Sequence, residues 1–262
     1  MENSKIVGIL IIVVLILSIG IIGYNATINV YKHSGDTSET ILEDSQLSQI
    51  TDNETTSSAI KTINLNIHQK TGATEIEFAD TDDVYKITTN GQFNTTTNVT
   101  YSENGDVLNI DINSDEDENT IVLSNKYVYN INETSTYGGF SINVNNKARI
   151  NTLNTNITMG GVNVEFNGGS LTTFNNQINT GGVNIEGTPS GETNINSNIV
   201  IGGFNAKIGQ VGHVFTTTDL GGSNLDGYQT ISDMEYKGVD FDNSQNKITI
   251  TSKIQIGGLN IE

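Results

Sequence analysis

The chain of 262 residues has a formal net charge of -18, yet charged residues make up only 16% of it, so its polarity comes mainly from uncharged side chains. Such a chain has no basic face with which to neutralise phosphates, which excludes nucleic acid as a partner. Cysteine is absent, and this excludes disulfides, thiolate metal sites and cysteine nucleophiles.

Residues 6–24 read IVGILIIVVLILSIGIIGY and predict one membrane-spanning helix, because about 20 apolar residues cross a bilayer core. A cleaved signal peptide is the alternative, but its apolar region is usually shorter and a cleavage pattern normally follows. The tail of residues 1–5 leaves only the C-terminal bulk to export. We therefore expect a single-pass protein of the cell membrane with an extracellular C-terminal domain, although the flanking lysines bias the orientation little.

Residues 25–60 are predicted to form a flexible stalk. The part from His33 to Ala59 contains no aromatic residue and few apolar ones, so it cannot bury enough surface to fold alone.

Residues 61–137 predict strands and hairpins, because short runs such as TINLNIH, DVYKIT and DVLNIDI alternate apolar and polar residues. The dipeptides Asn90-Gly91 and Asn104-Gly105 predict hairpin turns, since both central residues of a type I′ turn need positive φ.

Residues 138–262 carry a short repeat that begins with Gly-Gly. The copies start 22, 21, 21, 19 and 36 residues apart, at Gly138, Gly160, Gly181, Gly202, Gly221 and Gly257. A period near 21 residues predicts a stacked β-solenoid. The 36-residue interval, which contains SDMEYKGVDFDNSQNK, predicts an insertion or a capping element.

The apolar residues around each Gly-Gly are spaced by two, three and two, as in Ile157, Met159, Val162 and Val164. If all four point inward, the Gly-Gly absorbs one extra residue at a corner, where glycine accepts positive φ and a close neighbouring rung. We therefore expect Gly182→Val to destabilise the protein more than Asn184→Ala.

One column of asparagines then lies on the outer face and predicts an amide ladder at about 4.8 Å per rung. Its members are Asn163, Asn184, Asn205, Asn224 and Asn260. The next outward column contains Glu165, Glu186, Lys207, Asp226 and Glu262. Lys207 offsets its acidic neighbours, whereas Glu165 and Glu186 would face each other.

No motif of the sequence points to catalysis, a cofactor or a metal. The segment from Asp111 to Asp115 begins like a calcium loop, but Glu116 and Val122 stand where an EF-hand needs Gly and Glu. The three histidines, His33, His68 and His213, show no metal-binding spacing. The sequence therefore names no catalytic, cofactor-binding or metal-binding residue, and it does not indicate an oligomeric state.

The chain from Thr62 to Glu262 resembles the adhesin and cell-wall-stress-response domains of bacteria and archaea, known as toast-rack β-solenoids. The likeness rests on INLNIHQKTGATEIEF, on the GG-apolar-Asn-apolar units and on the closing KITITSKIQIGGLNIE. It implies an all-β, stacked solenoid at the cell surface with a non-catalytic role in adhesion or envelope interaction. Its partners would be the membrane, envelope glycans or surface proteins.

Two alternatives to adhesion remain at this stage. An envelope-stress sensor could act through the membrane helix, where Gly8, Ser18, Gly20 and Gly23 permit close helix packing. A carbohydrate-active β-helix enzyme would need a groove with clustered carboxylates.

Overall fold

The computed structural model describes residues 36–43, 60–91, 97–145 and 147–262. In these ranges the chain forms one sheet of thirteen strands and one short 3-10 helix, Gly209–Val211, so the all-β prediction is confirmed. The strands are β1 Asp36–Glu43, β2 Thr62–Ala79, β3 Asp83–Gly91, β4 Asn98–Asn104, β5 Val107–Ser124, β6 Val128–Asn145, β7 Arg149–Asn167, β8 Ser170–Thr188, β9 Glu192–Lys207, β10 Gly212–Leu225, β11 Gln229–Ser232, β12 Glu235–Lys237 and β13 Lys247–Ile261.

Eight long strands stack in parallel as rungs, in the order β5-β2-β6-β7-β8-β9-β13-β10. β7 and β8 pair in parallel although only two residues, 168 and 169, separate them. A flat parallel pair needs a crossover of about a dozen residues or more. Each strand must therefore bend back until its end meets the start of the next rung, which makes the sheet a solenoid.

The inner face of the bent strands forms one continuous apolar core. In β7 the side chains of Leu153, Ile157, Val162 and Val164 are all at most 3% exposed. Truncating a side chain of this kind to alanine typically costs about 2–5 kcal/mol. Because burying these side chains stabilises the fold by this much, the face of each rung that carries them points inward.

The chain changes face at the Gly-Gly corner, and the first glycine of the pair carries the constraint. Gly160 and Gly181 have φ values of 152° and 144°, which L side chains rarely adopt. A Cβ on Gly160 would also overlap the carbonyl oxygen of Gly138 in the rung below. At the second glycine, Gly161, the nearest atom to such a Cβ is 3.5 Å away. In the pair Gly181-Gly182, the positive φ that motivated the Gly182→Val prediction therefore belongs to Gly181.

The apolar residue before each Gly-Gly points outward, which corrects the predicted spacing of two, three and two. Met159 is 50% exposed and Ile256 is 46% exposed. Inward positions run from Ile157 directly to Val162, because Thr158 and Met159 both face solvent where the chain turns.

The solenoid begins earlier than the sequence indicated, because β2 and β5 are full rungs. Gly72, with a φ of 121°, lies in register with Gly138 and takes the corner position although Ala73 follows it. Residues 61–137 thus contain two full rungs together with the predicted strands, and β4 and β5 form a hairpin. A hairpin does connect β4 and β5, but Asn104 pairs with Val107, so its loop residues are Gly105 and Asp106, one position later than predicted. Asn90 and Gly91 form no turn, because they end β3 and pair with Glu118 and Asp117.

Antiparallel strands cover both ends of the stack. β4 and β3 pair with the two halves of β5, and β1 pairs with β3. β1 lies within residues 25–60, which were expected to be a flexible stalk, and its Leu42 is buried. The prediction is corrected for residues 36–43, because they gain a sheet partner far along the chain.

The 36-residue interval contains the opposite cap. β12 pairs with the start of β10, and β11 pairs with β12. Glu235 Oε1 accepts a hydrogen bond from His213 Nε2 at 2.8 Å, which joins β12 to β10. β13 then returns to lie between β9 and β10, so the last two rungs do not follow chain order.

The predicted membrane helix, residues 6–24, lies outside the described residues. Among the residues that the structure does describe, none belongs to a helix long and apolar enough to span a bilayer.

The first prediction compares the two glycines of one corner. We expect Gly160→Ala to lower the free energy of unfolding by more than about 3 kcal/mol, since it combines positive φ with overlap of backbone atoms. Gly161→Ala meets neither constraint and should change stability by less than about 1 kcal/mol. Urea unfolding of the two variants measures both values, and equal losses would contradict this account of the corner.

Candidate functional site

A groove of about 510 Å³ crosses five rungs, from β6 through β7, β8 and β9 to β13. Two columns of side chains line it, and a row of buried polar residues lies between them. The first column is Asn132, Asn154, Asn175, Asn196 and Thr251, and the second is Thr134, Asn156, Gln177, Asn198 and Lys253. The groove therefore runs along the solenoid axis, across the strands.

The first column is an amide ladder that the sequence analysis missed. Each side-chain Nδ2 donates to the Oδ1 of the rung below, in the order Asn196, Asn175, Asn154, Asn132, Asn66 and finally Asp111, over distances of 2.7–2.9 Å. All five bonds point the same way, so their dipoles polarise one another. The ladder ends at Asp111, whose carboxylate accepts the last hydrogen bond. The positive ends of the amide dipoles point toward this negative charge.

The asparagine column that the sequence predicted also forms a ladder. Its hydrogen bonds run from Asn224 through Asn260, Asn205 and Asn184 to Asn163, and span 2.7–2.8 Å. Asn260 precedes Asn205 because β13 lies between β9 and β10. The ladder is confirmed, and only the order of its last two members differs from chain order.

The second column of the groove is different, because its side chains do not bond one another. Asn156, Gln177 and Asn198 are exposed, and their amides have no hydrogen-bond partner in the part of the chain that the structure describes. Thr134, the longer Gln177 and Lys253 interrupt the run of asparagines in this column. The polar groups of Asn156, Gln177 and Asn198 therefore stay available to a ligand.

A polar seam inside the solenoid lies beneath the floor of the groove. Thr155 Oγ1 donates to Asn176 Oδ1 at 2.7 Å, and Asn176 Nδ2 donates to Ser197 Oγ at 3.0 Å. Glu133, next along the seam, is 1% exposed, and neither of its carboxyl oxygens has a hydrogen-bond partner among the described residues. Burial raises the pKa of Glu133 well above its usual value, because desolvation disfavours the charged carboxylate.

A sequence signal for Glu133 did exist. Tyr129, Ile131, Glu133 and Ser135 alternate in one strand, so the inward face of Ile131 is also that of Glu133. The sequence analysis did not follow this alternation through the polar residues.

The groove is close to neutral in an otherwise acidic molecule. Its only charged lining residues are Lys253 and the buried Glu133. The predicted acidic column lies elsewhere, on the outer face beyond the Gly-Gly corner. Lys207 Nζ lies 3.4 Å from Glu186 Oε1, and Glu165 accepts a hydrogen bond from Asn167 at 3.2 Å. In the described ranges, no group of three or more His, Asp or Glu residues is arranged to hold a metal ion.

The remaining candidates from the sequence have structural positions. Asp111 and Asp115 lie in strand β5 rather than in a calcium loop. His68 is an exposed residue of β2, His213 pairs with Glu235 in the cap, and His33 lies outside the described residues.

Comparison with solved structures identifies the architecture. The chain resembles the crystal structure of a protein from Clostridium sporogenes ATCC 15579 that is described as a putative cell adhesion protein. The TM-score is 0.58 at 15% sequence identity, over 87% of this chain and 99% of that one. The two chains share a fold. The likeness to adhesin-type solenoids that the sequence indicated is thus confirmed at the level of the fold.

A second match is to the crystal structure of a protein from Bacteroides fragilis NCTC 9343, described as a putative adhesin. It covers 88% of this chain and 98% of that one, with a TM-score of 0.29 and 10% identity. No family model matches the chain, and no curated protein matches it.

The second prediction separates the two columns of the groove. Asn175→Ala removes two ladder bonds and should lower the free energy of unfolding by about 1–2 kcal/mol. Gln177→Ala, in the same rung, removes no such bond and should change stability by less than about 0.5 kcal/mol. Urea unfolding tests both, and a greater loss for Gln177→Ala would mean that the ladder does not stabilise the fold.

The third prediction concerns Glu133→Gln and pH. Below the ordinary pKa of 4.5, both the folded and the unfolded wild-type chains carry the proton. Above it the unfolded chain releases the proton while the folded chain keeps it. The wild-type free energy of unfolding should therefore fall as pH rises, by up to about 1.4 kcal/mol per unit, until the raised pKa is reached.

The glutamine variant lacks this contribution, so the stability of wild type relative to the variant should decrease from pH 4 to pH 8. Urea unfolding of both proteins across that range gives the difference, in which the other titrating groups cancel. Parallel curves would mean that Glu133 has similar pKa values in the folded and unfolded chains.

Proposed function

We propose that this protein is a non-catalytic, adhesin-like protein of the cell surface. Residues 6–24 anchor it in the membrane, and the solenoid outside contacts envelope material through the groove described above. The N-terminal anchor follows from the apolar sequence alone.

The groove is the observation that carries the proposal. It presents exposed, unpaired amide groups of Asn156, Gln177 and Asn198 on adjacent rungs. The backbone beneath them is hydrogen bonded to a rung on each side, so the side chains stand on a rigid support. A preorganised surface of this kind loses little conformational entropy on binding.

The distribution of carboxylates supports binding rather than turnover. Hydrolysis of a glycosidic bond normally needs two carboxyl groups that flank the scissile bond. Among the residues that line the groove, the sole carboxyl belongs to Glu133, whose side chain is buried under the floor. The Clostridium sporogenes protein that shares the fold is described as a cell adhesion protein, which agrees with an adhesive role.

The fourth prediction is an adhesion experiment with the full chain displayed on host cells that lack it. We expect these cells to adhere to a surface coated with envelope material, and brief protease treatment of the intact cells to abolish adhesion. The double variant Asn156→Arg with Gln177→Arg, which fills the groove, should adhere no better than host cells alone. Asn179→Arg, an exposed position of the same rung outside the groove, should adhere like wild type.

Adhesion that survives protease treatment would contradict the extracellular placement. Equal adhesion by the groove-filled variant and by wild type would contradict the role of the groove. Release of soluble sugar from the coated surface would indicate that the protein is an enzyme, and would contradict a non-catalytic adhesive role.

A further inference from the structure

We propose that the groove binds a neutral, hydroxyl-rich polysaccharide that lies along the solenoid axis. This inference rests on the proposed adhesive function and names the chemical class of its ligand. It follows from the direction of the groove, the hydrogen-bonding state of its two walls and its charge.

The direction and length of the groove suit a polymer. It crosses five rungs, and four intervals of about 4.8 Å give a length of about 19 Å. The polar groups repeat at the rung spacing, so a ligand that repeats its own polar groups can engage several rungs at once. Neighbouring contacts on one chain reinforce each other in the manner of multivalent binding.

Both walls can bind hydroxyl groups, although they do so differently. A primary amide offers two N–H donors and one oxygen with two lone pairs. In Asn154 and Asn175 the ladder uses one donor and one lone pair, which leaves one of each per residue. Asn156 and Gln177 use neither within the described chain. Because a hydroxyl both donates and accepts, sugar hydroxyls can satisfy both walls.

Charge and backbone pairing exclude the other polymers. A protein with a net charge of -18 repels anionic polysaccharides and nucleic acids. A cationic polymer finds no exposed carboxylate in the groove and meets Lys253 at one end. An extended peptide cannot add to the sheet here, because the middle rungs β7, β8 and β9 are paired on both sides. A neutral polymer with hydroxyl groups remains.

The test uses the purified full chain in a detergent without a sugar headgroup, so that the detergent does not compete. The probes are neutral hexasaccharides of glucose, mannose and N-acetylglucosamine, an oligogalacturonate of equal length and an uncharged Asn/Thr peptide. Calorimetry should detect binding of at least one neutral sugar, with an affinity that is independent of salt concentration.

The double variant Asn156→Ala with Gln177→Ala should weaken that binding by about tenfold or more, because two contacts of typical hydrogen-bond strength are lost. Asn179→Ala, the exposed position of the same rung outside the groove, should stay within about twofold of wild type. The unfolding curve of each variant confirms that the fold is intact.

Binding of the oligogalacturonate or the peptide alone would overturn the ligand class, and sugar binding that the double variant retains would overturn the location. If no neutral sugar binds but groove-dependent cell adhesion persists, this inference fails and the proposed function stands. If adhesion itself does not depend on the groove, the proposed function fails as well.

Discussion

The close stacking of parallel rungs is the constraint on which the rest of the molecule depends. At the corner the spacing brings the first glycine of each rung against the carbonyl oxygen of the rung below, so that a Cβ at Gly160 or Gly181 would overlap it. Once the corners are in register, the flanking positions of each strand are in register too, apart from one shift between Tyr129 and Asn130 in the pairing of β6 with β7. The apolar core, the asparagine ladders and the groove are consequences of this one alignment.

Alignment of polar side chains on successive rungs has two opposite results in this protein. Where asparagine recurs on consecutive rungs, as in Asn132, Asn154 and Asn175, the amides satisfy one another and stabilise the stack. Two residues further along each strand the side chains vary, and Asn156 and Gln177 remain unpaired within the described chain. The groove thus has one wall whose hydrogen bonds stabilise the stack. The polar groups of its other wall can form hydrogen bonds only with solvent or a ligand.

The polar seam below the groove shows that the interior is not uniformly optimised for stability. Buried polar atoms without partners cost free energy, and the pKa of Glu133 is raised because a buried charged carboxylate would cost more than the neutral acid. Its neighbours on the adjoining rungs, Ile67 and Thr155, contribute no charge that could stabilise a carboxylate. We have no physical account of why an acid occupies this position rather than a threonine or serine.

Local patterns in the sequence were sufficient for the features that repeat along the chain. Alternation predicted the strands, the Gly-Gly period predicted the solenoid, and the spacing of Asn163 and Asn184 predicted an outer ladder. These features depend on residues close in sequence and on a period that the chain itself displays. The Asn104-Gly105 dipeptide predicted a hairpin between β4 and β5 for the same reason, since a tight turn is a local structure, although the loop residues are Gly105 and Asp106.

Only the tertiary structure decided which partners those local elements acquired. The return of β13 between β9 and β10, the pairing of β1 with β3, and the ladder from Asn132 through Asn66 to Asp111 all join segments distant in the chain. Two features of the corner depend on how it bends against the rung below: the exposure of Met159, and the positive φ and lack of space for a Cβ at the first glycine. The spacing of the sequence predicts that a corner exists, but steric contact between rungs determines which of its two glycines has no room for a side chain.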